Sequence, residues 1–169
     1  KNAVLELRTK STQIRKILQH KPIDNCIVAF SFTPENVSKL IEHKVPSVKK
    51  RINAMKKLVD KGWKVGLRFD PIIPGCNFSK SYDNLFKTIT SNISQENIHS
   101  ISFGMMRFPK KMFKKMIREN TRKRINSLPF ENRDGIYSYS KEMEKKLNVI
   151  ILRKIKKYMN NVPVYNCQI

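Results

Sequence analysis

Lys10, Ser31, Arg68, Asp70 and Arg107 each fall at or near the end of a short apolar, β-forming run. Ammonium and guanidinium groups in such a set can hold a carboxylate or phosphate. A serine hydroxyl can bond a ribose hydroxyl or an amino group. The strand bodies before them are apolar, so the polarity is confined to the ends. In a barrel of parallel strands those ends converge on one mouth, where ligands bind. Lys10, Arg68 and Arg107 suit an anionic ligand; Ser31 and Asp70 add hydrogen-bonding capacity beside them.

The elements that must position these residues follow from periodicity. Val4–Thr9, Cys26–Phe32, Lys64–Phe69 and Ile98–Met106 read as strands. Between them lie helical patterns over Ser11–His20, Glu35–Glu42, Pro46 to Gly62 and Ser81–Ile93. Val48, Ile52, Met55, Leu58 and Val59 form an apolar stripe, Ser47 is placed to cap its free amides, and Gly62 ends it. In the third strand Leu67 and Phe69 alternate with Arg68 and Asp70, so the apolar side chains face helices and the polar ones face away. Strand–helix–strand in this order gives parallel strands with helices outside. The expected fold is α/β, a partial (β/α) barrel over residues 1–108. A mainly helical C-terminal extension over 109–169 would contain a basic helix at 109–124, an irregular stretch at 125–140 and an amphipathic helix at about 141–160. Residues 162–169 read as a last strand or a tail laid on the barrel.

Composition narrows the partners. With 35 Lys and Arg against 13 Asp and Glu the net charge is +22, which attracts polyanions, and nucleic acid is the commonest of these. A lysine-rich composition alone would produce the same total. The density is highest at Arg107–Arg124, where Lys110, Lys111, Lys114, Lys115 and Arg118 share a helix face with Phe108 and Phe113 interleaved, a plausible track for DNA or RNA phosphates. Cys26, Cys76 and Cys167 are isolated, which argues against a disulfide framework and for a reducing, cytoplasmic setting. Cys26 is expected in the core, Cys76 in a loop near the mouth, and Cys167 in the tail without a role. His20, His43 and His99 are too dispersed for a metal site, and no run reaches the ~20 apolar residues of a membrane span.

The runs Val28-Ala-Phe-Ser-Phe-Thr-Pro-Glu35, His43-Lys-Val-Pro-Ser47, Arg51-Ile-Asn-Ala54 and Leu67-Arg-Phe-Asp-Pro-Ile-Ile-Pro74 resemble the second half of a barrel of the spore photoproduct lyase-like branch of the radical S-adenosylmethionine superfamily. Leu7-Arg-Thr-Lys10, Gly104-Met-Met-Arg107 and, more weakly, Arg133-Asp-Gly-Ile-Tyr-Ser-Tyr139 extend the similarity. The resemblance implies strands three to six of a six-stranded partial barrel. It also implies a [4Fe–4S] cluster on a CxxxCxxC loop, S-adenosylmethionine cleaved to a 5′-deoxyadenosyl radical, an electron donor, and a substrate in DNA. Lys10 and Ser31 then fall where the family contacts S-adenosylmethionine. Arg68, Asp70, Arg107 and Arg133 are the substrate-binding candidates, and Tyr137 and Tyr139 the catalytic ones on the radical-relay side.

No CxxxCxxC occurs in the sequence, and Lys1 opens within a strand pattern. The expectation is that the cluster loop lies roughly 70–90 residues upstream, the length of two βα units, so that the chain alone is inactive. The alternative is a non-catalytic basic nucleic-acid-binding module or a degenerate barrel.

Overall fold

The structure is a computed structural model that describes residues 3–119 and 128–167. Its elements in chain order are β1 Leu5–Thr9, α1 Arg15–Gln19, β2 Cys26–Ser31, α2 Glu35–Ile41, α3 Val48–Asp60, β3 Lys64–Ile72, α4 Phe78–Thr90, a 3₁₀ turn Gln95–Asn97, β4 Ile98–Met105, β5 Arg107–Pro109, α5 Lys110–Arg118, β6 Phe130–Arg133, β7 Ile136–Tyr139, α6 Lys141–Tyr158 and β8 Val164–Asn166. Five strands form one parallel sheet in the order β1-β2-β3-β4-β8. The α/β partial barrel expected from the strand–helix alternation is therefore what the chain folds into.

Alternation divides the sheet into two chemically different faces. Val28 and Phe30 of β2, Val65, Leu67 and Phe69 of β3, and Ile101 and Phe103 of β4 point outward and are buried. They join one core with Ile52, Met55 and Leu58 of α3, Leu85, Phe86 and Ile89 of α4, and Ile151 and Ile155 of α6. Each fully buried side chain of this size contributes about 1.5–3 kcal/mol relative to exposure. Ser47 caps α3 by accepting from the Lys50 N–H, and Gly62 takes a φ of 95° just beyond its end. Asp83 of α4 accepts a 2.6 Å bond from Lys154 of α6, fastening the extension to the barrel.

The C-terminal extension is mainly helical, as expected, and also carries short strands. Residues 130–139, expected to be irregular, form a hairpin of β6 and β7, which joins β5 in a three-stranded antiparallel sheet. The turn is Asp134-Gly135, with φ values of 50° and 85°. Two successive left-handed residues match the right-handed twist of a hairpin, and Asp-Gly is a strong local signal for that turn. The expected boundary at 108 falls inside β5, and β8 returns to pair with β4, so the extension also completes the parallel sheet. The helix expected to Arg124 is α5 as far as Arg118; positions 120–124 lie outside the described residues.

β1 has a sheet neighbour on one side alone among the described residues, and the short α1 does not cover it. Val4, Leu5 and Leu7 are 57%, 57% and 39% exposed. An apolar strand edge of this kind recruits further strands. The isolated chain should therefore self-associate in sedimentation experiments, and Leu5→Lys with Leu7→Lys should shift it toward monomer. A wild-type chain that is monomeric with a sharp, reversible thermal transition would contradict this.

Candidate functional site

The register places the expected strand-end residues on the inner face. Ala29 of β2 pairs with Gly66 of β3, Ser31 with Arg68, and Arg68 with Ser102 of β4. Lys10 follows Thr9, which pairs with Phe30, so Lys10 ends β1 beside Ser31. The inner face also carries Glu6, Arg8 and Ser100, in contrast to the uniformly apolar outer face.

Arg68 lies across this face instead of pointing into the mouth. Its Nε and Nη2 donate to the Glu6 carboxylate at 3.0 and 2.6 Å, its Nη1 to the carbonyls of Leu67 and Ser100, and its Nη2 also to the Ser100 hydroxyl. All five guanidinium donors are thus used within the protein. The Glu6 carboxyl is held below the usual carboxylate range, first by its hydrogen bond from Arg68. Gly66 makes this arrangement possible, since a Cβ there would come within 2.9 Å of the Arg68 Nη2. With its donors occupied in this way, Arg68, expected as a substrate-binding residue, forms the floor of the inner face.

A second cluster frames the mouth. Arg51 of α3 is fully buried (0% exposed) and donates to the Ser31 carbonyl at 2.8 Å, to the Ser38 hydroxyl at 3.1 Å and to the Glu42 carboxylate at 2.8 Å. Glu42, just past α2, accepts from Lys10 Nζ and from the Ser38 hydroxyl, both at 2.5 Å, and from Thr33 at 3.3 Å. Burial disfavours ionisation of Glu42, but hydrogen bonds from Lys10 and Ser38 and the charges of Lys10 and Arg51 outweigh it, so its pKa lies below the ordinary value. One carboxylate thereby fixes the end of β1 through Lys10, while Arg51 fixes the end of β2 through Ser31. Neither Glu42 nor Arg51 was singled out for chemistry from sequence. The available signal was Arg51 itself, a charge within the apolar stripe of α3 between Val48 and Met55.

The remaining candidates separate into other groups. Asp70 is half-buried beyond Phe69, where the pairing of β3 with β4 shifts register. Arg107 and Arg133 line one cavity of about 440 Å³ together with Lys141, Lys145, Asp134 and Glu144. Arg107 donates to the Cys167 carbonyl at 2.8 Å, and Arg133 to the Tyr139 carbonyl and Glu144. Cys167, expected to be a tail residue without a role, thus sits at this cavity. Ile136 and Ser138 of β7 face it, which turns Tyr137 and Tyr139 the other way. The Tyr137 ring stacks on Phe113 with centroids 4.0 Å apart, and that of Tyr139 on Phe130. The Tyr139 hydroxyl is buried, donates to the Ile72 carbonyl at 3.4 Å, and has its pKa pushed up by that burial. These contacts place the two tyrosines, expected on the radical-relay side, within an aromatic cluster.

Cys26 is buried at the start of β2, Cys76 is exposed after β3, and Cys167 follows β8. Among the described residues no group of three His, Cys, Asp or Glu could hold a metal ion. The residues present therefore do not fit an iron–sulfur cluster, whereas the inward Lys10 and Ser31 fit a polar, partly anionic cofactor. No helix among the described residues is long and apolar enough to cross a membrane.

This geometry defines a partial parallel (β/α) barrel with a polar inner face and a ligand mouth at its strand ends. The sequence profile of the family described as spore photoproduct lyase matches residues 1–165, and the chain belongs to that family. Spore photoproduct lyase complexed with dinucleoside spore photoproduct superposes with a TM-score of 0.82 at 21% identity, covering 96% of this chain and 51% of that one. A mutant of that lyase with bound AdoMet and dinucleoside spore photoproduct gives 0.78 at 20% identity, covering 95% and 50%. The chain thus spans about half the length of these solved structures. No curated protein matches the sequence.

Replacing Arg51 by Met should destabilise the fold by about 3–5 kcal/mol, the cost of stranding a buried charge, as read by denaturant unfolding. Glu42→Gln should also flatten the acid limb of the stability curve. The lowered pKa means that the Glu42 contribution is full above the model-compound value of 4.5 and is lost as pH falls from there through the folded value. An unchanged acid limb in Glu42→Gln would remove Glu42 from the frame.

Proposed function

We propose that this chain is the cofactor- and substrate-binding part of a radical S-adenosylmethionine enzyme that acts on nucleic acid. The observation that carries the reading is the row of inward strand ends, with Lys10 and Ser31 side by side and tied into one frame by Glu42 and Arg51. Lys10 offers the cofactor carboxylate an ammonium group, and Ser31 offers a hydroxyl to its ribose or amino group. Asp70, at the end of the neighbouring strand, faces the substrate side of the same mouth. Bound S-adenosylmethionine supplies the 5′-deoxyadenosyl radical for hydrogen abstraction. The cluster and electron donor this requires are not assigned to these residues; in this reading the cluster ligands come from outside the chain.

Arg107 and Arg133 serve the substrate. Their cavity holds Lys141 and Lys145 as well, four cations against the carboxylates of Asp134 and Glu144, which suits a phosphodiester. The AdoMet and the dinucleoside spore photoproduct bound in the similar lyase structures are consistent with that pair of ligands.

Titration calorimetry with S-adenosylmethionine tests the cofactor site on the chain as it stands. Lys10→Ala should weaken binding by about 10- to 100-fold, the loss expected for one charge-assisted hydrogen bond, while Arg107→Ala should leave it unchanged. Equal affinities in wild type and Lys10→Ala would reject the assignment. Anaerobic expression of the complete reading frame, with iron content and 5′-deoxyadenosine production measured with and without nucleic acid, separates the enzyme from a non-catalytic binding module. Iron-free protein that still binds nucleic acid would favour the module.

A further inference from the structure

Most helical lysines with acidic neighbours are neutralised within one turn. Lys39 faces Glu35 in α2, Lys56 faces Asp60 in α3, and Lys146 faces Glu142 in α6, each an i,i+4 pair. The helix α5 has one such pair, Lys115 with Glu119 just past its end. It carries Lys110, Lys111, Lys114, Lys115 and Arg118 with no acidic residue inside it. Among the described residues Glu119, beyond its end, meets Lys115 and Arg118, at 3.9 and 4.0 Å. A cationic excess is shared by α3, with five Lys and Arg against Asp60, and by α6, with seven against Glu142 and Glu144; what sets α5 apart is that its cations share one exposed face beside the Arg107–Arg133 cavity.

The contacts of α5 orient its charge. Met116 is buried and Phe113 stacks on Tyr137, so the opposite side, with Lys110, Lys111, Lys114, Lys115 and Arg118, is exposed. Lys110, Lys114 and Arg118 recur every turn, about 6 Å apart along the axis. The Lys110 N–H donates to the Gly135 carbonyl at 2.8 Å, which seats the start of the helix on the turn of the β6–β7 hairpin. The hairpin's Arg133 and Asp134, beside Gly135, line the Arg107–Arg133 cavity, so the charged ridge adjoins it. In sequence the basic run continues through Arg122, Lys123 and Arg124.

We propose that α5 is a phosphate-contacting ridge, along which the sugar–phosphate backbone of a nucleic-acid duplex lies when a phosphodiester of that duplex enters the Arg107–Arg133 cavity. The inference rests on the reading of that cavity as a nucleic-acid site but requires neither the cofactor nor catalysis. Lysine on a helix face supplies point charges without base contacts, so the ridge gives affinity and register, not sequence preference. A membrane surface is the competing anionic partner, with Met112 and Ile117 exposed beside the lysines. The duplex is favoured because these two side chains sit singly, without a continuous apolar face to insert.

The test is duplex binding by fluorescence anisotropy over a range of salt concentrations with the full chain. Each phosphate contact contributes about 0.9 to the slope of log K against log salt. Changing Lys110, Lys111, Lys114 and Lys115 together to Gln should lower that slope by about 2–4, equally for unrelated sequences. A charge-matched control, with Lys49, Lys50, Lys57 and Lys61 changed to Gln, should move it by less than about 1. If the four-site variant does not fold, Lys111→Glu with Lys114→Glu gives the same readout. Equal slopes for the α5 and control variants would overturn the proposal, as would tighter binding to vesicles of equal parts phosphatidylcholine and phosphatidylserine than to duplex. An α5 effect on the slope without any S-adenosylmethionine binding would leave the ridge standing and reject the enzyme reading. Normal cofactor binding with no α5 effect would do the reverse.

Discussion

A guanidinium with no exposed surface has to find its oxygen partners inside the protein, and Arg51 finds them at the end of β2 and on the last turn of α2. The cost of leaving such a charge unpaired is several kcal/mol, so the Ser31 carbonyl, the Ser38 hydroxyl and the Glu42 carboxylate are brought to it together. Glu42 then has capacity to spare and takes Lys10 as well. The ends of β1 and β2 are thereby fixed by the end of α2 and by α3. The position of Lys10 beside Ser31, given by the pairing of β1 with β2, is reinforced by this ionic contact.

The inner face obeys a second constraint. Side chains on neighbouring parallel strands crowd one another, yet Arg68 has to reach Glu6 across the intervening β2. Ala29 and Gly66 keep the path low enough for a guanidinium to lie flat, and an added methyl at Gly66 would collide with it. Gly104 plays a comparable part at β4, where a Cβ would stand 3.1 Å from the Cys167 carbonyl that accepts from Arg107. Small residues on this face mark where charged groups pass over the sheet. The same face could not be filled with large apolar residues without closing the cavity.

Much of this was legible in sequence. The apolar alternation of Leu67 and Phe69 with Arg68 and Asp70 sets which way β3 faces, because a period of two leaves one choice of buried side. The Ser47 cap and the Gly62 stop likewise depend on local chemistry that tertiary contacts did not override. The hairpin was equally local, since Asp134-Gly135 prefers its turn, but the short β6 and β7 lack the clear alternation that marks a longer strand. What sequence could not disclose was pairing between distant residues. Whether Arg68 is a ligand contact or a floor depends on Glu6, 62 positions away. Periodicity carries no such term, and five donors look equally available whether or not the fold consumes them.

The electrostatics of the two candidate regions differ in kind. Around Lys10, Arg51 is buried and turned to Glu42, which Lys10 also meets, so a ligand there meets ordered dipoles and one shared ammonium instead of a strong net field. That environment suits a zwitterion, whose carboxylate, amine and ribose each need a separate polar partner. At the Arg107–Arg133 cavity the cations outnumber the carboxylates, so the field keeps one sign. An extended polyanion gains from such a field at every repeat of its backbone, whereas a small zwitterion would gain at one end and lose at the other. The two regions thus differ in how their positive charge is presented: Arg51 is buried against Glu42, whereas Arg107, Arg133, Lys141 and Lys145 line an open cavity.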